Sequence, residues 1–265
     1  MKSSIEATHL AGERDPVVLI HGIGHRREAW GTLPTLLNER GYDVWVVDLP
    51  GHGLSPAPVP PDTYSMRSLA EQLERFFEAH DLDRPHVIGN SLGGQIVLEL
   101  AHLGNVRTAF ALAPAGFAPP SHLPAVGANL LLMKAGSYLP ESVHRRISTQ
   151  DKLRAVALRA LYVHPERVSA DDALGDALNL RASEAFWPLF RRGTMLRFTA
   201  DLAVPTTIGW GDSDKLLPPS QAKVAQQRLP DARHELLLGC GHCPQIDEPD
   251  LVLQLAEETF AQARE

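Results

Sequence analysis

The sequence predicts an α/β fold: a doubly wound, mostly parallel sheet that carries an inserted helical domain. Three observations predict it. Short apolar runs alternate with amphipathic helical segments from the N-terminus to Leu112, the rhythm of units whose strands are buried on both faces. Between about Gly116 and Leu202 there is no clear strand signal, and helical segments broken by proline and glycine take over. The alternation then resumes at Thr206 and closes on a helix over Leu251–Ala263.

Taken in order, Ile5–Leu10 reads as a short edge strand and Val17–Ile20 as a continuous apolar strand. That strand runs into the glycine-bearing loop His21-Gly22-Ile23-Gly24. Trp30, Leu33, Leu36 and Leu37 have helical spacing over Trp30–Arg40, and Gly41 stops the helix. Val44–Val47 is a second buried strand, followed by Asp48-Leu49-Pro50-Gly51-His52-Gly53 and a proline-rich loop over Pro56–Pro61. Met66–Ala79 places Leu69, Leu73, Phe76 and Phe77 on one helical face. Val87–Ile88, the helix Leu92–Leu103 and the strand Thr108–Leu112 complete the first half. The insertion holds helical segments at Val126–Lys134, Val143–Tyr162, Asp171–Leu180 and Glu184–Phe190. Thr206–Trp210 (strand), Ser220–Gln227 (helix) and His234–Leu238 (strand) follow. The expected division is 1–115 for the first part of the core, 116–202 for the helical insertion and 203–265 for the second part.

Composition bounds the function. The chain has 265 residues, 44% of them hydrophobic and 22% charged, which is enough for one large domain with an insertion. A net charge of -7 and the lack of a long basic run argue against a nucleic-acid or anionic-membrane surface. No apolar stretch approaches the ~20 residues needed to span a bilayer, so no stable membrane association is expected. Met1–Asp15 has one lysine, no apolar core and no cleavage-site pattern, so it does not read as a secretory signal. Two cysteines make no disulfide framework, and the expected setting is reducing and cytoplasmic.

Chemistry concentrates at Val87–Gly94, where a β-branched run ends in Gly89-Asn90-Ser91-Leu92-Gly93 and a helix starts at once. This is G-x-S-x-G in the strand–turn–helix setting that gives the pattern meaning. A serine at such a tip sits in strained backbone, so the positions two before and two after must lack side chains. Its hydroxyl then stands above the sheet, in front of the free N–H groups of a helix start. An activated serine needs a base, and the base needs an acid to orient it. In an open parallel sheet both belong on loops at the carboxyl ends of strands. The two late strands end in Gly211-Asp212-Ser213-Asp214 and Gly239-Cys240-Gly241-His242, which offer an acid and a histidine.

These motifs resemble the α/β-hydrolase fold superfamily over nearly the whole chain. The resemblance is carried by His21-Gly22-Ile23-Gly24, Asp48-Leu49-Pro50-Gly51-His52-Gly53-Leu54-Ser55 and Gly89-Asn90-Ser91-Leu92-Gly93-Gly94. Later come Gly211-Asp212-Ser213-Asp214 with Pro218, and Gly241-His242-Cys243-Pro244 with Glu248 and Pro249. The order serine, acid, histidine agrees with that superfamily. The resemblance implies Ser91 as nucleophile, His242 as general base and Asp214 as acid, because the family's carboxylate lies three residues after Gly211. Asp212 then forms the turn. Some members place the acid one strand earlier, but Ala113-Pro114-Ala115-Gly116 offers no carboxylate. Leu92, next to the nucleophile, supplies one oxyanion N–H by geometry, and the resemblance implies Ile23 for the other. His21 reads as a structural loop residue. The N-terminus is shorter than usual in the family, which implies that one of the first two strands is missing or reduced.

The expected reaction is hydrolysis of small to medium carboxylic esters through an acyl-enzyme, by a monomer or homodimer acting on a small-molecule ester. Serine at the elbow disfavours the dehalogenase and epoxide-hydrolase branches, which attack through a carboxylate. Carbon–carbon bond hydrolases of ring-cleavage products share Asn90, and cofactor-free perhydrolases share the triad. A hydrolase-like ligand-binding protein is the reading from another class. Cys240-Gly241-His242-Cys243 copies a disulfide-isomerase tetrapeptide but lies near the C-terminus after a strand, and neither metal spacing nor a dinucleotide or P-loop fingerprint occurs. No cofactor or metal is implied. The insertion is where substrate choice is expected, through Leu130–Met133 and Phe186–Phe190. His25, Asn90, Met133 and Trp187 are the candidate substrate contacts.

Overall fold

A computed structural model describes residues 5–193 and 197–264. Residues 1–4, 194–196 and 265, which fall inside the expected domain boundaries, lie outside the described ones. The core is a seven-stranded sheet in the order β1-β3-β2-β4-β5-β6-β7. The strands are β1 (Ala7–Leu10), β2 (Arg14–Ile20), β3 (Tyr42–Val47), β4 (His86–Asn90), β5 (Thr108–Leu112), β6 (Thr206–Gly211) and β7 (Arg233–Leu237). Only β1, four residues long at the sheet edge, runs antiparallel, against β3. The other pairs are parallel.

The pleat sorts the strand side chains into two layers. Val18 and Ile20 of β2, Val87 of β4 and Ala109 and Ala111 of β5 face one core. Helices α2 (Met66–Ala79) and α3 (Leu92–Leu103) fill it with Leu69, Leu73, Phe76, Ile96 and Leu100. Val17, Leu19, Ile88, Phe110 and Leu112 face the other core. There they meet α1 (Leu33–Glu39) and α11 (Pro249–Ala261) through Leu33, Leu37, Val252, Leu255 and Phe260. Small residues line β4 and β5 on the α3 side, so that helix lies close to the sheet. Helix boundaries follow local chemistry. The Ser65 hydroxyl accepts from the Ser68 N–H at the start of α2, and Gly104, with φ 75°, ends α3.

Among the described residues five α-helices stand between β5 and β6: α4 (Leu123–Ser137), α5 (Glu141–Thr149), α6 (Asp151–Leu158), α7 (Ala170–Ala182) and α8 (Phe186–Gly193). The single helical segment expected over Val143–Tyr162 is in fact two helices, broken at Gln150, whose backbone is extended. Polar side chains make the break. Thr149 Oγ1 donates back to the Arg145 carbonyl at 2.7 Å, and Arg154 Nη1 donates to the Ser148 carbonyl at 2.5 Å, so Ser148 no longer needs a helical partner. After β6, α9 (Ser220–Arg228), β7 and the short α10 (Pro244–Asp247) lead into α11. No helix among the described residues is long and apolar enough to cross a membrane.

The chain leaves β2 for β3 on one side and returns to β4 on the other. The order therefore reverses between β2 and β4, and a crevice opens at their carboxyl ends. The loop after β2 begins at His21, and Ser91 stands at the end of β4.

Candidate active site

Ser91 has φ 58° and ψ -113°, a left-handed backbone that costs a non-glycine residue about 1–3 kcal/mol. The neighbours hold it there. Its N–H donates to the Leu112 carbonyl at 2.9 Å, and its own carbonyl accepts from Gln95 and Ala115 at 3.1 and 3.0 Å. A methyl group on Gly89 would collide with the Gly93 carbonyl, and one on Gly93 would collide with the carbonyl of Ile20. The elbow is therefore possible only with glycine at both places. The Ser91 hydroxyl makes no capping bond to the helix, so it is not committed to a structural role there.

The late loops bring the predicted acid and histidine together. Asp214 Oδ2 accepts from His242 Nδ1 at 2.8 Å, with both side chains almost wholly buried. The second oxygen, Oδ1, accepts the N–H groups of Leu216 and Leu217, each at 2.8 Å. This carboxylate is thus aimed by its own loop before it meets the imidazole. With Nδ1 protonated and bonded to Asp214, Nε2 keeps its lone pair and is the basic end of the ring. Asp212 takes the turn-forming place, its Oδ1 accepting the Gly239 N–H at 3.0 Å. Asn90 ties the histidine loop to the elbow, since its Nδ2 donates to the His242 carbonyl at 2.9 Å and to that of Leu112 at 3.2 Å.

Leu92 is the first residue of α3, and its N–H has no place in the helical ladder. The loop carrying Ile23 passes directly over the elbow: a Cβ on Gly22 would stand 3.1 Å from Ser91 Cβ. Two buried histidines shape that loop. His21 Nε2 accepts from Leu49 N at 2.9 Å while its Nδ1 donates to the Gly22 carbonyl at 2.7 Å. His52 Nε2 accepts from Gly24 N at 3.0 Å and Nδ1 donates to Pro50 at 3.2 Å. His21 is structural, as its sequence context suggests.

Burial lowers the pKa of each of these two rings from 6.5 to about 3. Both stay neutral in the native state while the unfolded chain takes up protons below pH 6.5. The unfolded state therefore binds more protons between pH 6.5 and 3, and stability must fall as the pH falls through that window. At pH 5 each ring costs about 2 kcal/mol relative to pH 8. Urea unfolding across pH 5–8 is expected to show this slope, with His52→Asn removing its own share of about 2 kcal/mol at pH 5. A flat profile would contradict the neutral pair.

Several residues that shape the site gave no signal in the sequence. Asp247 is wholly buried and accepts three N–H groups, those of Val163, His164 and Gly241, at 2.9, 2.7 and 2.7 Å. The His242 N–H donates to Leu161 at 2.8 Å. The histidine loop is thus clipped to the inserted segment, with each bond to the carboxylate worth roughly 1.5–3 kcal/mol. Asn179 of α7 does the same for the loop after β2: its Nδ2 donates to the carbonyls of Gly24 and His25, both at 2.9 Å.

Ser91 opens on a cavity of about 90 Å³. Ile23 and Leu92 line it beside the serine; Val126 and Leu130 of α4, Leu189 and Phe190 of α8, and Leu216, Leu217 and Gln221 form its walls. None of the four candidate substrate contacts is in that lining. Asn90 is spent on two carbonyls. Met133 is half-buried and packs against the same apolar core as Val126 and Leu130, but it is not among the residues that line the cavity. Trp187 is 40% exposed, with its ring edge-on to Phe186 and Phe190. His25 is half-buried, its Nδ1 has no partner among the described residues, and burial, then the nearby His242, lowers its pKa to about 4.

Cys240 and Cys243 are both free and buried. Burial pushes the Cys240 thiol up to about 12 and raises Cys243 well above its ordinary value, the opposite of a reactive thiolate. Among the described residues no group of three or more histidine, cysteine, aspartate or glutamate side chains is placed to hold a metal ion.

Comparison with known proteins agrees with this architecture. Lipase 1 of Psychrobacter immobilis is 26% identical over 269 residues, covering 92% of this chain and 76% of the lipase. The pimeloyl–acyl-carrier-protein methyl ester esterase of Aeromonas hydrophila is 26% identical over 257 residues, covering 93% and 95%. In fold, the chain is similar to the 2-hydroxy-6-oxo-6-phenylhexa-2,4-dienoate hydrolase of Rhodococcus, with a TM-score of 0.77 at 19% identity over 98% of this chain and 97% of that one. Residues 15–249 match the family described as the alpha/beta hydrolase fold, and the chain belongs to that family.

Proposed function

We propose that this protein is a serine esterase that cleaves uncharged carboxylic esters of small to medium size through an acyl-enzyme. The observation that carries the reading is the buried Asp214–His242 bond of 2.8 Å, on a loop tied through Asn90 to the strained Ser91 elbow. His242 Nε2 takes the Ser91 proton as Oγ attacks the ester carbonyl. The N–H groups of Leu92 and Ile23 receive the negative charge that develops on oxygen. The alcohol leaves with the proton from His242, and water repeats the sequence to release the acid. Asp214 holds the imidazole in the useful tautomer and stabilises its charged form.

The cavity supports the substrate class. Apart from Ser91 and Gln221, its described lining residues carry no polar side chain, and none is charged. Such a wall suits neutral acyl, alkyl or aryl groups and gives no cationic partner to a charged one. Relatives that are a lipase and a methyl ester esterase support ester hydrolysis. Asn90, the residue shared with carbon–carbon bond hydrolases, has its amide committed to two main-chain carbonyls and so adds nothing to that alternative.

The test is a series of p-nitrophenyl esters of increasing acyl length. Turnover is expected to rise with acyl length while the chain fills the apolar wall and to fall once it outgrows the cavity. A burst of p-nitrophenol stoichiometric with enzyme is expected where deacylation is slower than acylation. Failure of the folded protein on every ester would overturn the reading.

A further inference from the structure

We infer that Gln221 is a specificity-determining residue, selecting esters that carry a second, uncharged hydrogen-bonding group such as a ketone or hydroxyl. The inference rests on the esterase reading and deepens it. Gln221, the second residue of α9, is 0% exposed and lies on the wall of the cavity that holds Ser91. Neither its Nε2 nor its Oε1 has a hydrogen-bond partner among the described residues.

That state is unusual, because buried side-chain amides are paired in the large majority of cases. Gln72 donates to the carbonyls of Thr63 and Ser68, and Asn90 donates to two carbonyls. Gln245 donates to the Ala29 carbonyl while its Oε1, like that of Gln95, lacks a partner among the described residues; Gln221 differs in having both ends of its amide unpartnered. Nor is Gln221 at the end of a loose segment. Its N–H donates to Pro218 at 2.9 Å, and the preceding loop is anchored through Leu216 and Leu217 to the triad acid. The chain thus places a donor and an acceptor in an apolar wall, at a fixed position relative to Ser91, with no partner for either among the described residues. A substrate oxygen is the natural partner, since a ketone accepts from Nε2 and a hydroxyl can use both ends of the amide. The group is uncharged because no charged side chain lines the cavity. Sites built around a buried polar group discriminate strongly against analogues that leave it unpaired, whereas one methylene more or less shifts rates far less.

The experiment compares esters matched in length, with the oxo group on either side of the scissile bond. Ethyl 4-oxopentanoate is set against ethyl pentanoate, and 4-oxopentyl acetate against pentyl acetate, with kcat/KM followed by acid release. The wild type is expected to favour the oxo ester by tenfold or more in at least one pair. In Gln221→Leu and Gln221→Met that ratio is expected to fall to one or below, because the plain ester gains as the oxo ester loses. Replacing an unpaired buried amide by an apolar group is expected to leave the melting temperature unchanged or higher. A purely structural glutamine would lower the melting temperature and leave the ratio alone. Absence of any oxo preference in the wild type overturns the inference whatever the variants do, as does a preference that survives in both variants. If plain esters are hydrolysed and the activity needs Ser91, while no oxo preference exists, only the role of Gln221 falls. If no ester is hydrolysed, the esterase reading falls with it.

Discussion

Ser91→Ala is expected to lower kcat on p-nitrophenyl esters by about 10⁶-fold, to the level of hydroxide attack helped only by binding and the oxyanion donors. The substitution removes one oxygen and leaves the elbow intact, because the bonds that hold Ser91 in place are all main-chain and its hydroxyl caps nothing. Stability is expected to stay within about 0.5 kcal/mol, so the loss reads as chemistry rather than unfolding. No neighbouring nucleophile can take over: Cys243 contacts Asn90 at 3.5 Å, but burial holds its thiol far from ionisation. His242→Ala is expected to match Ser91→Ala, and the double variant to lose no more than either alone, since the two groups move one proton between them. Residual turnover above about 1% in Ser91→Ala would place the nucleophile elsewhere; additive losses in the double variant would separate the two residues.

The parts of the molecule legible in the sequence are those with local causes. Met66–Ala79, Leu92–Leu103 and Thr108–Leu112 are read to the residue, because Ser65, the Gly89–Gly93 elbow and Gly104 announce their ends within one turn. The triad candidates are legible because a nucleophile, an acid and a base sit at strand ends in a fixed order. The rest depends on contacts distant in sequence. Phe186-Trp187-Pro188-Leu189-Phe190 is apolar at every position, so periodicity has no face to choose. Packing turns Leu189 and Phe190 to the cavity and Trp187 outward. Asp247 looks like one of two adjacent acidic residues ahead of Pro249, and only the folded chain reveals Val163, His164 and Gly241 converging on it. Gln221 reads as a solvent-facing helix residue until the wall of the cavity closes around it.

Asp214→Asn is expected to lower kcat by about 10⁴-fold, with little change in KM. The substitution keeps shape and volume, so everything turns on which atom faces the imidazole. Asp214 Oδ1 accepts two N–H groups, from Leu216 and Leu217. An asparagine must keep its single oxygen on that side, because an amide nitrogen there would face two donors. Its NH₂ group is then left opposite His242 Nδ1, where the aspartate now accepts at 2.8 Å. A donor in that place forces the imidazole to carry its proton on Nε2 instead. The ring then offers a hydrogen to Ser91 where a lone pair is needed, and it also loses the negative partner of its charged form. A 10⁴-fold loss corresponds to about 5.4 kcal/mol of transition-state stabilisation. Asp212→Asn makes the contrast, because Asp212 only accepts the Gly239 N–H at an exposed turn and an asparagine oxygen does the same. It is expected to stay within about threefold of wild type. Two isosteric changes two residues apart thus differ by more than a thousandfold if the buried carboxylate sets the tautomer. Comparable losses in both, or an Asp214→Asn enzyme within tenfold of wild type, would mean that His242 is oriented by something else.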